Sequence, residues 1–428
     1  MRVRTTQIVD YWMGIPLCAV LSLWQWAATS LLGCFREPAE ATAPKNILFL
    51  ELSEMGSAII AHSALRRSLE LFPGSQPFFM VFGKNKESVS LLGVIPEQNL
   101  ILVDEGSFLR LAISTFRAIL KVRSLRIDTV VDLELFSRFT SILSYLSGAD
   151  RRVGFDNYTA EGLFRGRFLT HRVFYNPHQH MELNFLALVY AIGSDPRDVP
   201  LLKMDMRPLR LPLPRYEATP QELDALWMLM QSLNSSVKRG DRLLVVNPDP
   251  GDALPIRGWP LDRYVAALKQ LMGFNSGLFC VVIGLQRSKP YAQAILEGLP
   301  AERCIDLTGQ TSALKEVVAL FTQAELLVTN DSGPAHFAAL TDIKSIALFG
   351  PETPALYGAM GEGKLNIWAN YSCSPCLSAH NHRHTLCKDN KCLQAIGESQ
   401  VVEAAQHFLQ EVAKAKISAP RQSVSLAV

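Results

Sequence analysis

Apolar residues along this chain fall into short unbroken runs separated by stretches where they recur every three or four positions. The runs 47–52 (ILFLEL), 78–82 (FFMVF), 100–103 (LILV) and 127–133 (IDTVVDL) predict strands, and the intervening periodicity predicts helices over 58–72, 85–93, 107–122 and 136–147. Ile59, Leu65 and Leu69 share one face of the first helix, which Pro73-Gly74 stops. Strands apolar on both faces, alternating with amphipathic helices, specify a parallel sheet covered on both sides. Residues 151–156 (RRVGFD) add a strand and turn. A less regular stretch follows, with His171, His178 and His180 read as loop or surface histidines, and then a helix from Met181 to Ile192.

The alternation starts again at Arg242. Strands are expected at 243–247, 278–284, 303–307, 325–329 and 344–349, with helices at 261–272, 290–298, 312–323 and 334–340 and a last one from Glu398 to Ala413. The pattern predicts an α/β protein of two Rossmann-like domains facing across a cleft, at 46–205 and 242–415. Segment 206–241, with Pro208, Pro212 and Pro214, joins them, and 416–428 forms a tail. Ligands of such sheets lie beyond the carboxyl ends of the strands, where Ser53–Ser57 and Asp132–Glu134 fall. The first turn lacks the spaced glycines of a dinucleotide fingerprint, so NAD is not expected.

Residues 1–45 stand apart. No charged side chain occurs between Tyr11 and Phe35, a run longer than the ~20 residues a helix needs to cross a bilayer core. Trp12, Trp24 and Trp26 suit a membrane interface, whereas Pro16 and Gln25 interrupt a simple span. A hydrophobic membrane-anchor helix, spanning or lying in one leaflet, is expected, followed by a linker at 37–44 (EPAEATAP). With 48% apolar residues, 19% charged and a net charge of +2, the remainder is globular and carries no nucleic-acid footprint.

Four of the eight cysteines crowd together: Cys373-x2-Cys376, then Cys387-x4-Cys392, with His380, His382 and His384 between. Paired thiolates at this spacing suit a structural zinc, with two disulfides or unpaired thiols as alternatives. The richest stretch for chemistry is 326–340 (LLVTNDSGPAHFAAL). A strand there runs into a tight polar turn and a helix opening at Gly333 or Pro334, capped by Ser332. Backbone N–H groups and the helix dipole at such a place suit a diphosphate. Asp331 is read as a turn-stabilising residue, and His336 lies within reach of whatever binds.

The stretch TNDSGPAHFAALTDIKSIALFGPETP resembles the signature of glycosyltransferase family 9, the heptosyltransferases of lipopolysaccharide core assembly. ILFLELSEMGSAIIAHSALRRSLELFPG, RRVGFD, HMELNFLALVYAIG, the Arg257-Gly258-Trp259-Pro260 helix start and CSPC at 373–376 extend the likeness in family order over 46–410. The resemblance implies a GT-B fold and inverting, metal-independent transfer of a sugar from a nucleotide-diphosphate donor, ADP-heptose-like, to a lipid-linked saccharide. It places the work at the cytoplasmic face of the inner membrane, with no catalytic cofactor. Asn330, Asp331, Ser332, Gly333, Pro334, Ala335 and His336 would hold the donor, joined by Arg257, where the family tends to have lysine. The family's general base is an aspartate directly after the first turn's glycine; here Gly56 is followed by Ser57. A serine hydroxyl is no base near neutral pH, so Glu54 in the same turn is the candidate, with Asp249 and Asp252 as runners-up. A GT-B nucleotide-sugar epimerase and a non-catalytic sugar-nucleotide-binding protein are the alternatives.

Overall fold

The computed structural model describes residues 10–32, 43–156, 164–251, 254–381 and 383–418. Cys34, most of the 37–44 linker, Asp252, His382 and the tail beyond 418 lie outside them.

Two six-stranded parallel sheets organise the chain. The first comprises β1 (Asn46–Leu50), β2 (Gln76–Phe82), β3 (Leu100–Val103), β4 (Thr129–Asp132), β5 (Arg151–Asp156) and β6 (His171–Phe174), in the order β3-β2-β1-β4-β5-β6. The second comprises β7 (Arg242–Asn247), β8 (Leu278–Val282), β9 (Cys304–Asp306), β10 (Leu326–Asn330), β11 (Lys344–Phe349) and β12 (Lys364–Trp368), in the order β12-β11-β10-β7-β8-β9. Strand order reverses between β1 and β4 and between β7 and β10. Ligand crevices form at such switch points, so the turns after these four strands become the places to search.

The helices used below are α1 (Gly14–Leu32), α2 (Met55–Ile60), α3 (Phe108–Ser124), α4 (Arg138–Leu146), α5 (Met181–Ala191), α6 (Pro220–Leu233), α7 (Leu261–Phe274), α8 (Gly333–Phe337) and α9 (Glu398–Ser418). The helix expected over 58–72 is interrupted at Ala61, giving α2 and a second helix, His62–Leu71. Ala118 and Val122 of α3 and Leu143 of α4 pack on one face of the first sheet, against Leu48, Leu50, Met80 and Val130. The opposite face, with Ile47, Phe49 and Val81, belongs to a larger apolar core. That core continues through Ile59 and Ala335 to Leu243, Val245 and Phe279 of the second domain.

Four expectations need correction. The stretch after 156 contains strand β6, where His171 is buried. The joining segment contains α6, whose Leu226, Trp227 and Met230 are buried in the shared core and which packs on the second domain's helix Leu314–Gln323. A reciprocal capping box between Thr219 and Glu222 starts this helix. Strand β12 extends the second sheet by one more edge. Finally, among the described residues no helix is long and apolar enough to cross a membrane. Helix α1 is described over Gly14–Leu32, where Ser22, Trp24 and Gln25 dilute its apolar character. One side, with Gly14 and Cys18, lies against the protein body, where Asp10 pairs with Arg138 of α4 at 3.0 Å.

Candidate active site at the seam between the domains

The two turns singled out by the sequence meet. A Cβ on Gly56 would lie 2.5 Å from Cδ2 of His336, so the imidazole of α8 rests on the bare glycine backbone of α2. A second bridge runs from His180 Nε2 to the carbonyl of Gly358, at 3.0 Å. His180 is therefore a partly buried interdomain residue, not a surface histidine. Burial and a nearby Arg210 lower its pKa, against the upward pull of its bond to Gly358 and of Glu182.

On the first domain, Glu134 fixes the turn after β1. Its Oε1 accepts the N–H groups of Leu52 and Ser53, both at 3.0 Å, and the Ser53 hydroxyl at 2.8 Å. Within that turn Ser57 Oγ donates to Glu54 Oε2 at 3.0 Å. The candidate base and the residue at the family's aspartate position thus form one pair. Glu54 is partly exposed, whereas Ser57 is buried. Glu51, at the end of β1, is buried and accepts the Glu54 N–H at 3.3 Å. Burial, with Glu134 beside it, raises its pKa well above the usual carboxylate range. Asp132 at the end of β4 is buried too and pairs with Arg165. Desolvation pushes its pKa up to about 6 despite that partner.

On the second domain, Asn330 is a strut of the turn rather than a ligand-facing group. It is fully buried, donates to the Pro248 carbonyl at 2.8 Å, and accepts Trp259 N–H at 2.9 Å and Tyr264 O–H at 3.2 Å. Ser332 makes no side-chain cap; its hydroxyl is shared with Thr329 at 3.0 Å and the Asn330 carbonyl at 3.1 Å. Helix α8 has only five residues, Pro334 has no N–H, and the Ala335 N–H is taken by the Ser332 carbonyl at 3.1 Å. At most Ser332 and Gly333 can offer amides, a smaller cradle than the sequence led us to expect. Asp331 neither caps nor closes the turn. It is buried, with Oδ2 3.3 Å from Arg257 Nη1, and its pKa is raised by burial against the pull of that arginine.

Several polar atoms around this turn have no hydrogen-bond partner within the protein: Arg257 Nε, His336 Nδ1 and both carboxylate oxygens of Glu352, whose one charged neighbour in reach is Arg383. Burial lowers the His336 pKa to about 3, helped by His180 and Arg257. Burial and Asp331 raise that of Glu352 to about 8, against Arg257. Buried groups left in this state are rare in native proteins and need an explanation such as a ligand.

Between the two halves stands Arg383. It pairs with Glu54 of the first domain, lies 3.5 Å from Glu352 of the second, and places its guanidinium carbon 4.9 Å from the ring centre of Tyr357. Desolvation brings its pKa down to about 10, with Glu51 opposing. Glu51, Glu352 and Arg383 were not found from sequence. An acidic residue at the end of β1 and one just after β11 were legible signals under the strand-end rule; Arg383 carried none.

Arg383 belongs to the cysteine-rich loop, where the sequence suggests a structural zinc on Cys373, Cys376, Cys387 and Cys392. Cys392 is buried, and burial with Cys376 and Cys373 nearby raises its thiol pKa, while Cys387 turns to the Asp389 carbonyl at 3.2 Å. Among the described residues no three His, Cys, Asp or Glu side chains are placed to hold a metal ion, and these four cysteines are unpaired. Asp249 is committed to Ser288, at 2.5 Å, and to the Gly251 N–H, at 2.7 Å.

The fold resembles that of Escherichia coli ADP-heptose lipopolysaccharide heptosyltransferase II, with a TM-score of 0.65, 20% identity, and coverage of 86% of this chain and 99% of that one. A family 9 glycosyltransferase from Veillonella parvula gives 0.66 at 20% identity, over 86% and 98%. In sequence, lipopolysaccharide heptosyltransferase 2 of Salmonella typhimurium is 36% identical over 103 residues, 23% of this chain and only 29% of that protein's length. The lipopolysaccharide core heptosyltransferase OpsX of Haemophilus influenzae is 23% identical over 318 residues, 74% of this chain and 82% of that one. The family model described as glycosyltransferase family 9 (heptosyltransferase) matches residues 118–386, more than half of the sequence, and the chain belongs to that family.

Proposed function

We propose that the protein is an inverting glycosyltransferase that moves a heptose-like sugar from a nucleoside diphosphate to a lipid-linked saccharide of lipopolysaccharide core assembly. It would work at the cytoplasmic face of the inner membrane. One observation carries the reading: Arg257 Nε, His336 Nδ1 and the Glu352 carboxylate lie buried without a hydrogen-bond partner around the turn after β10, Glu352 keeping only a 3.5 Å charge contact with Arg383. Such groups are the complement of a polar, charged ligand. The names of the relatives supply the ligand class: one solved neighbour is titled an ADP-heptose lipopolysaccharide heptosyltransferase.

In the reaction, an acceptor hydroxyl gives its proton to Glu54 as its oxygen bonds to the anomeric carbon. The bond from that carbon to the donor phosphate breaks on the opposite face, and the electron pair leaves with the nucleoside diphosphate. Positive charge aimed at the departing oxyanion is a large source of rate. Arg257 supplies it, with the Ser332 and Gly333 amides in support and no metal required. Arg383, already paired with Glu54, holds that carboxylate in place at the seam between the domains.

The test is transfer, scored by mass, from a panel of nucleotide sugars including ADP-heptose to membrane lipid acceptors, for the wild type and Glu54→Gln. A working base implies loss of about 100-fold or more in kcat with donor binding retained. Unchanged transfer in the variant removes Glu54 from the mechanism. Tight nucleotide binding with no turnover by the wild type on any donor removes the transferase reading.

A further inference from the structure

Helix α3 carries two apolar stripes, and the fold uses only one. Ala118 and Val122 are buried against the first sheet, with Leu111 and Leu125 partly buried beside them. On the opposite side Leu109, Ile113, Phe116 and Leu120 repeat at helical spacing and stand in solvent, at 68%, 43%, 63% and 52% exposure. Solvated faces of globular helices are polar as a rule, so a second apolar stripe of this length calls for an occupant.

We propose that this outer face of α3 is a docking surface for an anionic lipid bilayer. The occupant is read from charge. Arg110, Arg117, Lys121 and Arg123 flank the stripe, and the helix contains no acidic residue. Basic residues bordering an outward apolar stripe make the pattern of a helix that lies in the headgroup region. Helix α1 supports the same side. It packs on α4, which shares with α3 the same face of the first sheet, and it leaves Val20, Leu23 and Trp24 exposed. A second copy docking through the same stripe would bring like basic flanks together. The surface rests on the reading of a lipid-linked acceptor only for its purpose; its chemistry stands without it.

The experiment is sedimentation of the full-length protein with vesicles of phosphatidylethanolamine and phosphatidylglycerol, or of phosphatidylcholine alone, with neither donor nor acceptor present. Binding to the anionic vesicles that weakens with salt is expected. Phe116→Ser with Leu120→Ser should lower partitioning about tenfold or more, and Arg117→Glu with Lys121→Glu should abolish the preference for phosphatidylglycerol. Thermal melts matching the wild type show that these surface variants fold. Variants that bind as the wild type does, equal binding to both vesicle types, or loss of binding only on Trp24→Ser each overturn the proposal. So does a change from dimer to monomer with vesicle binding intact. Transfer to a detergent-dispersed acceptor should persist in the variants. A wild type that binds vesicles yet transfers nothing refutes the transferase reading and leaves the surface standing.

Discussion

The contact between Gly56 and His336 gives the sharpest test of the site. Alanine at position 56 would place a methyl 2.5 Å from Cδ2 and 3.2 Å from both Cγ and Nε2 of the imidazole. Carbon atoms in contact sit near 3.5–4.0 Å, so about 1 Å must be found, and the ring is buried with little room to give it. Overpacking of this kind costs about 1–3 kcal/mol. Because Gly56 lies inside α2, alanine returns up to about 1 kcal/mol of helix propensity. Net destabilisation by Gly56→Ala should therefore be small, about 0–2 kcal/mol. Its functional effect should be much larger, since the methyl shifts the imidazole beside Arg257 or wedges the domains apart. Misplacement by about 1 Å can cost on the order of 100-fold in rate. Urea denaturation and transfer kinetics measure the two quantities separately. The double variant with His336→Ala tests the cause: relief of the clash gives a coupling energy of about 1 kcal/mol or more in the double-mutant cycle. A fully active Gly56→Ala protein, or additive effects in the cycle, would refute the proposed packing.

Two further predictions follow from the second domain. Glu352 has its pKa raised from 4.5 to about 8, so its stabilising contribution is complete below about pH 4.5 and disappears as pH rises through about 8. Glu352→Gln should match the wild type in melting temperature near pH 4.5 and exceed it at pH 9, by an amount worth about 5 kcal/mol at most; a difference independent of pH would exclude this account. Asn330→Ala orphans the Pro248 carbonyl, the Trp259 N–H and the Tyr264 hydroxyl. At about 1–3 kcal/mol for each stranded group, with imperfect additivity, chemical denaturation should register a loss above about 2 kcal/mol; a loss under about 1 kcal/mol would show the turn held by something else.

Strands covered on both faces were plain in the sequence. The central strands β1, β7 and β10 are almost wholly buried, and complete burial writes itself as an unbroken apolar run. Two of the four edge strands, β6 and β12, were not legible. β6 alternates buried and exposed positions, and β12 has only Ile367 fully enclosed, so each looks like a polar loop carrying a few apolar residues. Helix α6 was hidden among prolines, although Thr219 and Glu222, three apart, already spelled its capping box. In the site, the turns at Ser53–Ser57 and Asn330–His336 were readable because strand, turn and helix are local in sequence. Glu51, Glu352 and Arg383 converge only after two sheets have folded and faced each other. Arg383 was further masked by four cysteines that drew attention to metal chemistry. Within the donor turn, sequence alone could not divide Asn330, which holds the backbone, from Arg257 and His336, which keep unpartnered atoms.

The apolar core that runs from Ile47 through Ala335 to Val245 bears on how this protein can be recombined. Its halves look like interchangeable modules, one for each substrate, yet neither closes its own interior. A chimera that takes only the nucleotide-binding half from a relative would also inherit a foreign seam. The partner for Gly56 and the carbonyl that His180 reaches would both come from another sequence. Swapped proteins should regain solubility and activity only when α2, α5 and α8 travel together, which makes the seam the inherited unit.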